Sequence, residues 1–104
     1  MIALTAIIRC TPDGAAAVEA ALREVMSYAQ ANEPGTLSYY VSRDVTDKAV
    51  FCTYERYADR SAMERHNNSE AVRRFFTIAQ PLLATTPTVI VGEEIGQLPA
   101  HLQS

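Results

Sequence analysis

Two residues in the stretch "YERYADRSAMERH", Tyr54 to His66, have the chemistry for proton transfer: Glu55 and His66. A carboxylate that accepts an imidazole N–H fixes the ring's tautomer and raises its basicity, which gives a base suited to neutral pH. Strand alternation puts Phe51, Thr53, Glu55 and Tyr57 on one face. Helical spacing puts Ala62, Met63 and His66 on one stripe. If that face meets that stripe, Glu55 and Tyr57 look towards Met63 and His66, and Glu55 becomes a partly buried carboxylate that needs a partner. Two outcomes fit the pattern: a base at the edge of an apolar cavity, or a hydrogen bond that ties strand to helix.

The other reactive side chains read as structural. Cys10 has the parity of Leu4 and Ile8, whereas Cys52 has that of Tyr54 on the opposite face. Two thiols on opposite sides of a sheet cannot pair within one chain, and packing is the expected role of Cys10. His101, in the tail, reads as solvated. There is no glycine-rich phosphate loop, no paired cysteine or histidine ligand spacing and no G-x-S-x-G, so no metal site is expected.

The elements that must position Glu55 and His66 follow from periodicity and breakers. "IALTAIIR", 2–9, is an apolar run that reads as a strand buried on both faces. Thr11 is placed to cap a helix with Pro12 at its first position. Ala15, Val18, Leu22, Val25, Met26 and Ala29 continue that helix until "NEPG" at 32–35 stops it. "TLSYYVSRD", 36–44, and "KAVFCTYERY", 48–57, read as an antiparallel hairpin. A second helical region starts at its cap Asp59 and reaches about Ala84. Its stripe Ala62, Met63, His66 is offset by roughly a third of a turn from Val72, Phe75, Phe76, Ala79. A break near 67–69 is therefore expected, with Asn68 or Ser69 restarting the helix. "TPTVIVGEEI", 86–95, is the last strand.

The order β-α-β-β-α-β in 104 residues predicts one domain over 1–104, an α+β, ferredoxin-like sandwich with a four-stranded antiparallel sheet and its helices on one face. The strands are apolar on both sides, so the uncovered sheet face predicts a homodimer with sheets packed face to face. Net charge is −3 with scattered basic residues, which argues against nucleic-acid binding. "MIALTAIIRC" lacks the charged leader of a signal peptide and no apolar run reaches membrane-spanning length, so a cytoplasmic protein without membrane contact is expected.

Three segments, "EPGTLSYY" (33–40), "VFCTYERYADRSAMERH" (50–66) and "SEAVRRFF" (69–76), resemble the antibiotic biosynthesis monooxygenase (ABM) superfamily, in particular its small quinol-monooxygenase-like members. The resemblance implies a dimeric α/β barrel with a pocket between sheet and helices. It implies oxidation of a small aromatic, such as a quinol, phenol or anthrone, by dioxygen, with no metal, flavin or haem. His66 would be the base and Glu55 its orienter; Tyr57, Phe76, Met63 and Ile8 would be apolar walls, with Phe51 and Thr53 on the same strand face as Glu55. Haem-degrading relatives place an asparagine, a tryptophan and a histidine ligand where this sequence has Ile8, Tyr57 and Phe76, so haem is not implied. A branch that isomerises a phosphorylated substrate and a non-catalytic aromatic-binding dimer are the alternatives.

Overall fold

The structure is a computed structural model in which residues 1–98 are described; His101 lies outside them. Strand β1 spans Ile2–Arg9, helix α1 Ala15–Asn32, β2 Thr36–Arg43, β3 Val50–Tyr57, α2 Arg60–Asn67, α3 Glu70–Ala79 and β4 Thr88–Glu93. The sheet is antiparallel throughout in the order β2-β3-β1-β4, and the expected ferredoxin-like arrangement is the one observed.

Three local expectations change. Thr11 makes no side-chain cap; Pro12–Gly14 form a turn of 3-10 helix instead, and α1 begins only at Ala15. The Thr11 carbonyl accepts from Gly14 N–H at 3.0 Å, an i to i+3 bond that closes the tighter turn ahead of α1. β4 is shorter than 86–95, because its pairing with β1 runs only from Thr88 opposite Ile7 to Glu93 opposite Ile2. β1 is buried on one face within the chain and half-buried on the other.

The expected break between α2 and α3 is present. Asp59 caps α2 by accepting from Ala62 N–H, and Ser69 caps α3 by accepting from Val72 N–H. Each helix thus aims its own stripe: Ala62, Met63 and His66 from α2, Ala71, Phe75 and Ala79 from α3.

The helix-facing side of the sheet is divided. One apolar cluster joins Ile8, Cys10 and Phe51 to Val18, Leu22 and Val25 of α1 and Phe75 of α3. A second joins Ile2, Leu4, Ala6 and Tyr57 to Ala62 and Met63 of α2. Thr53, Glu55 and His66 are the buried polar side chains of this interior. The strand parity read from sequence holds: Phe51, Thr53, Glu55 and Tyr57 are buried, while Cys52 and Tyr54 turn to the other face. Among the described residues no helix is long and apolar enough to cross a membrane.

Candidate active site

Cross-strand register assembles the polar group. Glu55 of β3 stands opposite Tyr39 of β2 and Leu4 of β1; Thr53 stands opposite Val41 and Ala6. Thr53 and Glu55 are two residues apart on one strand face, and the Thr53 hydroxyl donates to Glu55 Oε2 at 2.6 Å. The Tyr57 hydroxyl donates to Glu55 Oε1. A buried carboxylate is costly unless hydrogen-bonded, and these two hydroxyls serve one oxygen each. Burial and the nearby Glu55 charge push the Tyr57 phenol far above its usual pKa, so it stays a neutral donor.

His66, near the end of α2, has only 3% of its side chain exposed. Its two ring nitrogens meet two different carboxylates. Nδ1 lies 2.7 Å from Glu33 Oε1, within hydrogen-bond reach. Nε2 lies 3.7 Å from Glu55 Oε1, beyond it. The rings of Tyr39 and Tyr57 flank the imidazole, each with its centroid 5.5 Å away. Glu55 and His66 are therefore neighbours, but Glu33 is the hydrogen-bonded partner.

Glu33 reaches His66 because the chain turns tightly after α1. Thr36 N–H donates to the Glu33 carbonyl at 3.1 Å, and Thr36 Oγ1 donates to Glu33 Oε1 at 2.8 Å. Gly35 lets this turn abut α2: a Cβ there would lie 2.6 Å from Ala62 Cβ. In the sequence, "NEPG" carries a helix-stop signal that conceals this second role of Glu33.

A cavity of about 250 Å³ opens beside the group. Its sheet wall is Leu4, Ala6 and Ile8 of β1 with Val89 of β4. Its helix wall is Leu22 and Val25 of α1 with Val72, Phe75 and Phe76 of α3. Tyr39, Thr53, Glu55, His66 and Asn67 supply the polar lining. Among the expected site residues, His66, Glu55, Thr53, Ile8 and Phe76 line this cavity. Tyr57, Met63 and Phe51 do not: Tyr57 sits behind Glu55, Met63 packs in the cluster under α2, and Phe51 packs in the cluster under α1. Tyr39 and Asn67 join the lining without having been anticipated. Burial, with the charges of Glu55 and Glu33, pushes the Tyr39 phenol far above its ordinary range and keeps it neutral. Among the described residues, no lysine or arginine lines the cavity.

A site of this kind can accept a proton from a hydroxyl set between His66 Nε2 and Glu55, and can hold a flat apolar ring against Phe75, Phe76 and Val72.

Residues 1–77 match the family described as antibiotic biosynthesis monooxygenase. No curated protein matches the sequence. Solved structures match over nearly the whole chain. A Pseudomonas aeruginosa protein, PA3566, is 29% identical, with a TM-score of 0.82 over 91% of this chain and 94% of that one. A proposed antibiotic biosynthesis monooxygenase of Caulobacter crescentus is 25% identical, with a TM-score of 0.85 over 91% and 90%. Rv0793 of Mycobacterium tuberculosis, 22% identical, shares the fold with a TM-score of 0.85 over 94% and 98%. With the family match spanning most of its length and the same fold in these structures, the chain belongs to the antibiotic biosynthesis monooxygenase family, which includes monooxygenases.

Proposed function

We propose that this protein is a cofactor-independent monooxygenase that oxidises a small hydroxylated aromatic with dioxygen, and that it works as a homodimer in the cytoplasm. The observation that carries the reading is the placement of buried His66 and Glu55 in the lining of an otherwise largely apolar cavity. A hydroxyl set there loses its proton to His66 Nε2, and the aryl oxide becomes electron-rich. It passes one electron to dioxygen, and the radical pair recombines to form a C–O bond. Loss of water from the resulting hydroperoxide restores the proton count: hydroquinone plus dioxygen gives hydroxyquinone plus water. The apolar walls favour binding of the planar ring and shield the anion from water.

Support for the dimer comes from the open sheet face. Tyr40, Tyr54, Thr5 and Ile90 form one row across all four strands. Tyr40 and Ile90 are 65% and 63% exposed. A row of this kind on a two-layer fold is what a second sheet covers.

A phosphorylated substrate is disfavoured, because phosphate recognition draws on arginine or lysine and the charged group in the cavity lining is the Glu55 carboxylate. An oxygen electrode with a panel of hydroquinones, naphthols and anthrones tests the proposal. Oxygen uptake with a hydroxylated product is the expected result. Tight binding of these compounds with no uptake would make the protein an aromatic-binding module.

A further inference from the structure

Glu33 is the one described residue with a buried side-chain oxygen that lacks a hydrogen-bond partner, Oε2, while its Oε1 serves both Thr36 and His66. The side chain is only 11% exposed. A buried carboxylate loaded on a single oxygen is costly, and sequence-local structure does not require it: Ala29 already accepts from Glu33 N–H to end α1. Glu33 also lines a second cleft, with Pro34, Gly35, Arg65 and Ser69, that lies apart from the cavity lined by His66. His66 and Glu33 therefore form a hydrogen-bonded link through the wall between two hollows.

We propose that Glu33 is the positioning residue of His66: it accepts the Nδ1 proton, fixes that tautomer, and leaves Nε2 as the acceptor beside Glu55 and the cavity. The assignment rests on the proposed role of His66 as base. The groups facing the ring are Glu33 from the turn after α1, Glu55 and Tyr57 from β3, and Tyr39 from β2. Of these, Glu33 alone is within hydrogen-bond distance, and a neutral imidazole has one N–H to place. Glu55 already accepts one hydroxyl on each oxygen, from Thr53 and Tyr57, and lies 3.7 Å from Nε2, so it does not compete with Glu33 for the ring proton.

Nitrogen-15 chemical shifts of the His66 ring test this without any substrate. The native protein is expected to show the Nδ1–H form when neutral. A neutral Nε2–H form would overturn the proposal, whether or not the protein has oxygenase activity. In Glu33→Gln, whose amide can present a donor to Nδ1, the ring is expected to populate the Nε2–H form; an unchanged spectrum in a folded variant would also overturn it. On any turned-over quinol, Glu33→Gln should lower kcat by about tenfold to a hundredfold with little change in KM. Glu33→Asp, which keeps the charge, should recover less than the native rate and more than the Gln variant. Equal kcat in all three would sink the assignment. Absence of turnover with every quinol would instead refute the oxygenase reading and leave the tautomer result to decide the role of Glu33.

Discussion

The two faces of β3 place opposite chemistries at opposite depths. On the helix side, Thr53 and Glu55 are polar yet 2% and 5% exposed. On the open side, Tyr54 is largely apolar and 41% exposed. A folded chain on its own favours the reverse, so each face carries a cost. The buried polar group is costly within the domain and is compensated locally by the Tyr57 and Thr53 hydroxyls. The exposed apolar row has no such local compensation, and the proposed dimer would cover it with a second sheet.

The largest expected effect comes from emptying the polar side. His66→Ala should lower kcat for quinol oxidation by at least about a hundredfold, the ordinary contribution of a general base. Unchanged oxygen uptake would remove His66 from the chemistry and leave the buried group a structural tie. Next comes the open face: Ile90→Arg sets like charges against each other wherever two sheets meet. Sedimentation should show association weakened by about a hundredfold with the circular dichroism spectrum retained. A native chain that sediments as a monomer would instead make the row an ordinary surface.

A smaller effect separates the compensation from the chemistry. Tyr57→Phe removes the donor to Glu55 Oε1 and leaves a buried acceptor short of a partner. Denaturant unfolding should show a loss of about 1–3 kcal/mol. A loss near zero would mean that water or His66 replaces the hydroxyl. The smallest effect is on the open side, where Arg56 grips Glu94 and, with help from the Tyr54 hydroxyl, holds its carboxyl below the usual value. A depressed carboxyl stabilises the fold fully above its unfolded pKa and loses that contribution as pH falls through the folded one. Arg56→Gln should therefore reduce stability slightly at neutral pH and make acid unfolding shallower. Superimposable acid limbs would show that the pair adds nothing measurable.

Much of this contrast was legible in the sequence, because strand parity and helical phase are local rules. Alternation sent Glu55 and Tyr57 inward with Phe51, and the mismatch between the Met63 and Phe75 stripes marked the break at Ser69. What stayed hidden depends on distance through space. Glu33 meets His66 across 33 residues, on a turn whose stop signal and family-like motif say nothing of that contact. Tyr39 and Tyr40 are adjacent and alike, so composition cannot say which one faces inward. The register opposite Glu55 decides it, past the irregularity between Thr36 and Ser38. Met63 and Tyr57 share faces with the site but lie behind its lining, since parity assigns a side and not a depth.

The short interruption at Asn68 and Ser69 makes two parts of the cavity lining mechanically independent. His66 belongs to α2, whereas Val72, Phe75 and Phe76 belong to α3, and each helix has its own cap. Substitutions along α3 can reshape that wall of the hollow while His66 stays seated on a separately anchored helix. Under the proposed function, ring selectivity can then be tuned on one ten-residue helix without moving the residue proposed as the base.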